Sequence, residues 1–280
     1  MKKTFKMGYC LILIFLFSTF NTFSSYSNDC EIKQAEDTLM VLFQGLNDTG
    51  MRDMHSEYNG KIINILEDIL ESPRSFYYRF DAIPTLGSVT STDSLIRIFT
   101  WNVAVSPQEY NYYGFIQIRE DDSDKVRLYF LNHSPASRKD LENNVFNTDN
   151  WYGALYYQIQ TVHDSGKTIY TLIGFNFNSI FTNIKLIDVL NLDDGEPQFG
   201  APVFQFADSL RNRAVFEYSS RVVMFLRYID EVNMIVYDHL SPASPDQAGQ
   251  YRFYGPDFSY DAFKFENGKW HNFIDIDWKK

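Results

Sequence analysis

Cysteine is nearly missing from this chain: Cys10 and Cys30 are the two in 280 residues. Cys10 lies inside an apolar stretch that reads as a removable leader, so the mature chain would hold Cys30 alone. That excludes an internal disulfide and a Cys-rich zinc site. Positive charge is also short. Lys and Arg total 25 against 36 acids, for a formal charge of −11. Such a surface repels nucleic acid and anionic lipid heads and tolerates a neutral or cationic partner. A long apolar run is lacking too. Leu11 to Phe20 is about ten residues, half of the roughly 20 needed to span a bilayer. No transmembrane segment is therefore expected once the leader is gone.

Familiar catalytic signatures are absent. There is no G-x-S-x-G elbow, no H-E-x-x-H and no GxxxxGK[ST]. Cys30 stands at the edge of the fold, which argues against a cysteine nucleophile. The five histidines (His55, His133, His163, His239, His271) lie far apart, so a three-His metal site would have to be assembled from distant segments. No cofactor and no metal is expected.

The start of the chain is informative. Lys2, Lys3 and Lys6 precede the apolar run, and Ser25-Tyr26-Ser27 has the small-x-small form of a cleavage site. This is the three-part pattern of a secretory signal over residues 1–27. Its removal leaves about 253 of the 280 residues and takes the charge from −11 to −14, since three lysines and no acids go with it. Asp29 before Cys30 argues against lipid attachment. The expected location is the periplasm, the cell surface or the medium.

Residues 28–280 read as one β-rich domain with a helical N-terminal segment at 30–72. Ile32, Ala35, Leu39, Leu42, Phe43 and Leu46 recur at helical spacing, and so do Met54, Tyr58, Ile62, Ile65, Leu66 and Ile69. Asn47-Asp48-Thr49-Gly50 breaks the pattern and Pro73 ends it. Two amphipathic helices in tandem predict a hairpin that packs on something.

From Phe76 the apolar period becomes two. Short candidate strands follow, among them residues 76–81, 95–103, 113–119, 151–162, 184–192, 214–218, 234–238, 251–254 and 260–265. Asp121-Asp122-Ser123-Asp124, Asp164-Ser165-Gly166, Asp193-Asp194-Gly195 and Asn267-Gly268 have hairpin chemistry. The fold class is thus mainly β, an antiparallel meander of sandwich, barrel or propeller type. Residues 134–150 interrupt it, with a short helix expected from Ser137 to Asn144. Aromatics are 17% of the chain, with 25 Phe and 19 Tyr. Most belong in cores and cross-strand pairs, and the tyrosine excess leaves room for an aromatic binding face.

Several segments together resemble a known group of sequences. They are Trp151-Tyr152-Gly153-Ala154-Leu155-Tyr156-Tyr157, Tyr170-Thr171-Leu172-Ile173-Gly174, Lys185-Leu186-Ile187-Asp188-Val189-Leu190 and Phe199-Gly200-Ala201-Pro202-Val203-Phe204. Phe216-Glu217-Tyr218-Ser219, Asp238-His239-Leu240 and Tyr254-Gly255-Pro256-Asp257 complete the set. The resemblance covers about residues 150–265. It is to an uncharacterised family of exported β-rich proteins from Gram-negative bacteria of the Bacteroidetes type. It implies export and a β body, and no activity. Phe258 stands where the family pattern has a second turn glycine.

Candidate site residues fall in two groups. Glu217, Asp238 and His239 are the catalytic candidates, with Asp188 and Asp230 as further strand carboxylates. Two carboxylates across a cleft could hydrolyse a glycosidic bond. The plainer reading puts Glu217 on the solvent side of its strand, with Arg221 or Arg227 as partner, and His239 at a polar strand end. Tyr254, Phe258 and Tyr260 are the ligand-binding candidates, on what reads as an aromatic loop over residues 254–261. The plainer reading there is a Pro-Asp turn pinned by its flanking rings. Asp257, Asp261, Asp275 and Asp277 could offer oxygens to Ca²⁺, but their spacing fits no known loop. The function favoured is a non-catalytic cell-envelope module that binds a glycan or an envelope protein. A carboxylate-based, glycosidase-like envelope hydrolase is the alternative, and a structural or assembly component is the third.

Overall fold

The helical spacing of residues 30–72 folds as two helices. α1 (Asp29–Asn47) turns Ile32, Leu39 and Phe43 inward, and α2 (His55–Leu70) turns in Ile62, Leu66 and Ile69. The 3-10 turn Thr49–Met54 joins them, with the Asp48 carboxylate accepting from the Gly50 amide. The break expected at Asn47 to Gly50 is therefore a capped turn. The computed structural model describes residues 29–120, 125–192 and 195–279. The leader and cleavage site expected over residues 1–27 lie outside the described residues, as do the turn expected at Asp121 to Asp124 and Asp193-Asp194.

The remainder is mainly β. β1 (Gly87–Thr90), β2 (Ile96–Ser106), β3 (Glu109–Arg119) and β4 (Val126–Leu131) form an antiparallel sheet in that order. α3 (Arg138–Asn143) follows, capped by Ser137, where the short helix is expected. Next come β5 (Phe146–Asn147), β6 (Leu155–Asp164), β7 (Lys167–Asn176), β8 (Thr182–Asn191), β9 (Gln198–Phe199), β10 (Phe204–Gln205), β11 (Leu210–Arg211) and β12 (Ala214–Ser219). The chain ends with β13 (Leu226–Ile229), β14 (Met234–Pro242), β15 (Tyr254–Glu266) and β16 (Lys269–Phe273). The second sheet has the order β5-β9-β8-β7-β6, with β12 paired to the first part of β8. The third has the order β11-β10-β16-β15-β14-β13, and its β10–β16 pair is parallel.

These parts stack as four layers. Phe99, Trp101, Val103 and Phe115 of the first sheet pack on the helical hairpin. Ile96, Ile98, Ile116 and Ile118 point the other way, onto the second sheet. Ile187 and Val189 of β8 then face the third sheet with Phe204, Ile235 and Phe263. Strands covered on both faces lose the polar-out half of the alternation. That is why residues 96–101 are buried without a break. Among the described residues, no helix is long and apolar enough to cross a membrane.

Three segments depart from the sequence reading. Residues 76–81 are not a strand. Pro73–Tyr77 is a 3-10 turn, and the Ser75, Phe76 and Tyr78 carbonyls accept from Arg97 Nη1 at 2.9, 2.8 and 2.8 Å. A buried guanidinium takes the bonds a neighbouring strand would have supplied. Tyr251–Phe253 is likewise a 3-10 turn. The supposed loop at 254–261 is the first half of β15. β16 pairs with β15 only from Ala262 onward, so this half is a sheet edge on that side, where proline is tolerated.

Candidate functional site

β14 and β15 pair regularly until Asp238 meets Tyr260, and pairing resumes with Leu240 opposite Pro256. His239 therefore faces three residues of β15, 257–259, which bulge outward. The Asp257 carboxylate holds the bulge. It accepts from the Ser259 amide at 3.1 Å, Ser259 Oγ at 2.7 Å and Ser241 Oγ at 2.8 Å. Burial would raise this carboxyl, but the serine bonds outweigh it and hold the group below its ordinary value. Phe258 takes φ +73° at the tip and is 93% exposed. Bulges of this kind re-aim neighbouring side chains and are common beside binding sites.

Beside the bulge, His239 Nδ1 lies 2.8 Å from Asp261 Oδ2. A carboxylate offers only acceptors, so Nδ1 carries a proton in this pair, and Nε2 is the ring nitrogen left for another partner. The other oxygen of Asp261 accepts from the Asp275 amide at 3.0 Å, which fixes the carboxylate. This pair opens on a cleft of about 290 Å³. Glu217 from β12, Tyr254 from β15 and Tyr251 from the 3-10 turn line it as well. Arg138 of α3 and Arg211 of β11 complete its charged wall. They share one carboxylate, Glu142, at 3.2 and 3.3 Å. The Arg138 guanidinium stacks 4.2 Å from the centre of the Tyr251 ring, and the Tyr251 and Tyr254 rings stand 5.2 Å apart.

Glu217 accepts from Asn178 Nδ2 at 3.1 Å and Thr182 Oγ1 at 2.9 Å. Arg221 and Arg227, the partners expected from sequence, do not reach it, because β12 pairs with β8 and carries Glu217 toward the 178–182 turn. Asp238 does not line this cleft. Its carboxylate accepts from the Phe225 amide at 2.6 Å, closing the β13–β14 hairpin. The three catalytic candidates are thus split: Glu217 and His239 share the cleft, and Asp238 is a backbone clasp. Asp188 is buried against Arg213, and Asp230 is exposed at the end of β13.

The three aromatic candidates separate too. Tyr254 lines the cleft, and its hydroxyl accepts from the Gly249 amide at 2.9 Å. Tyr260 packs edge-on against Phe225 and Trp278, and its hydroxyl accepts from Lys279 Nζ at 3.0 Å. Phe258 points away at the bulge tip. Asp257 and Asp261 are engaged as described. Among the described residues, no group of three or more His, Cys, Asp or Glu could hold a metal ion. Arg138, Arg211 and Tyr251 were not singled out from sequence. Only the proximity of α3 and β11 to β12 in space brings them to His239.

A second cleft of about 480 Å³ begins on the other side of Tyr254, which lines both. Its walls are Val222, Pro242, Phe253 and Pro256, with Arg221 and Arg252 at the rim. No family model matches the chain, and searches of the curated proteins and the solved structures return no match.

Proposed function

We propose that this chain is an exported, non-catalytic binding protein of the cell envelope, and that its ligand is a glycan held in the cleft beside Tyr254. The observation that carries the reading is the company Tyr254 keeps. A tyrosine ring fixed by its own hydroxyl stands next to an anchored His239–Asp261 pair, a half-buried Glu217 and two arginines. Sugars present an apolar ring face and a periphery of hydroxyls. Such ligands call for an aromatic wall beside a few fixed donors and acceptors. Export rests on the leader pattern of residues 1–27. The engagement of Asp238 by Phe225 favours binding over hydrolysis, because it removes one of the two carboxylates that hydrolysis would use.

A hydrolase is the second reading on one observation: Glu217 and Asp261 line the same cleft. A glycan array with the mature protein tests both. Binding lost in Tyr254→Ala and retained in Tyr260→Ala supports the proposal. Binding unchanged in Tyr254→Ala, or no binding to any glycan, defeats it. Turnover that disappears in Glu217→Gln transfers the function to the hydrolase.

A further inference from the structure

The two clefts that meet at Tyr254 differ in charge. In the His239 cleft the charges nearly cancel: Arg138 and Arg211 share Glu142, Glu217 adds one negative charge, and His239 is paired with Asp261. Polar groups are dense there and net charge is small. The second cleft is different. Arg221 and Arg252 are both exposed at its rim. Among the described residues neither guanidinium is paired with a carboxylate. Arg252 lies over the Phe253 ring at 4.6 Å instead. Asp257, the one acid on this rim, is already engaged by Ser241 and Ser259. A chain with 36 acids and 25 bases thus keeps two unpaired guanidinium groups beside an apolar groove.

We propose that the ligand is a linear glycan bearing carboxylates, a polyuronate, lying across both clefts with Tyr254 between consecutive sugars. This rests on the glycan reading above and names its substrate class. The near-neutral cleft meets the hydroxyls of one residue through His239 Nε2, Glu217 and the arginine edges. The second cleft takes the next residues, with Arg221 and Arg252 on their carboxylates and Pro242, Phe253 and Pro256 beneath the ring faces. Guanidinium–carboxylate pairing is bidentate and charge-assisted, so it discriminates an acid from its ester strongly. The acidic remainder of the surface repels the same ligand elsewhere and confines it to this strip.

The test uses the mature protein, hexagalacturonate and its fully methyl-esterified form, measured by titration calorimetry. The acid should bind at least about tenfold tighter than the ester, and the difference should shrink as ionic strength rises. Arg221→Gln with Arg252→Gln should lower affinity for the acid at least about tenfold and leave the ester unchanged. Both positions are exposed, so the double variant keeps its fold, which circular dichroism checks. Galacturonate monomer, which cannot lie on both sides of Tyr254, should bind more weakly than the hexamer. Equal affinity for acid and ester, an unaffected double variant, or no binding of either form overturns the proposal. If neutral glycans on the array bind through Tyr254 while the polyuronate gains nothing, this inference fails and the glycan reading stands. If no glycan binds at all, both fail.

Discussion

Asp188 Oδ2 and Arg213 Nε lie 2.8 Å apart, and neither side chain has any exposed surface. Tyr152 donates its hydroxyl to the same Asp188 oxygen at 2.5 Å, and the Val189 amide donates to the other at 2.7 Å. Burial and the neighbouring carboxylate push the Tyr152 phenol well above its ordinary range, so it stays protonated as a donor. The Arg213 guanidinium lies 4.5 Å from the centre of the Tyr152 ring, and Nη1 donates to the Leu141 carbonyl. The pair thus ties α3 to β8 and β12. Removing either partner strands a buried charge, so Asp188→Leu and Arg213→Leu should each destabilise by about 3–5 kcal/mol. Removing both should cost less than the two separate losses together. Urea denaturation of the four proteins in the cycle measures this, and additive losses would contradict the pairing.

Glu36 offers a pH test. It is 3% exposed, yet it is a carboxylate on α1. The Tyr78 hydroxyl, the Ala82 amide and Lys33 donate to it at 2.7, 3.0 and 3.1 Å. Burial would raise its pKa, but these bonds overcome that and hold it below the ordinary 4.5. A depressed folded pKa means the folded state binds fewer protons than the unfolded one in this range. The stability it contributes is present above about pH 4.5 and is lost as pH falls through the folded value. Glu36→Gln should therefore cost about 1–3 kcal/mol at neutral pH, and its gap from the wild type should narrow in acid. A gap that stays constant or widens on acidification would refute the assignment.

Gly153 sets the wall of a cavity of about 180 Å³ between the first two sheets. Its φ is +85°, and a Cβ there would sit 2.7 Å from His133 Cδ2 and 2.8 Å from Tyr112 Cδ2. Tyr112 is buried, and its hydroxyl accepts from the Phe177 amide at 2.7 Å, so the ring has no room to retreat. Gly166 has nearly the same φ, +81°, but a Cβ there would meet nothing within 4 Å. Gly166→Ala should cost the backbone strain alone, about 1–2 kcal/mol. Gly153→Ala should cost a further 1–3 kcal/mol, roughly, from overpacking. Equal melting-temperature losses for the two variants would show that His133 and Tyr112 yield freely.

The helices were legible because their apolar spacing is set by one buried face each. Strand positions such as 95–103 and 113–119 were legible for the same reason. Their second buried face was not, since a strand's own sequence does not say how many layers will cover it. Residues 76–81 are rich in strand-favouring aromatics (Phe76, Tyr77, Tyr78 and Phe80), but Arg97, about 20 positions away in the chain, takes the Phe76 and Tyr78 carbonyls. Gly255 and Pro256 read as a loop because the short reach of β16 cannot be seen locally. At the site, His239 stood out as a strand-end histidine. Its partner Asp261 is separated from it by 22 positions, and Arg138 comes from α3, which precedes every strand of the second sheet in the chain. Cross-strand register places the histidine and its partner, and register is fixed by packing that no local pattern encodes.

The helical hairpin is bonded into the first sheet, and this bears on whether residues 29–279 unfold together. Trp101 Nε1 of β2 donates to Asn59 Oδ1 of α2 at 2.8 Å, with both side chains buried. Gln117 Nε2 of β3 donates to the Leu70 carbonyl at 2.7 Å and to Ser75 Oγ at 2.8 Å. Leu66 and Ile62 are fully buried in the same cluster as Phe99 and Phe115. The segment after α2 is thus anchored rather than a linker, and protease has no exposed, unbonded backbone to enter at Ser75. Limited proteolysis should release no stable fragment beginning near residue 73. Leu66→Ala should destabilise the whole chain by about 2–5 kcal/mol, shifting one transition seen alike by far-UV circular dichroism and tryptophan fluorescence. Trp270 in the third sheet and Trp101 in the first report from different layers. Two separated transitions, or a folded product lacking the hairpin, would show that the helices are a detachable unit.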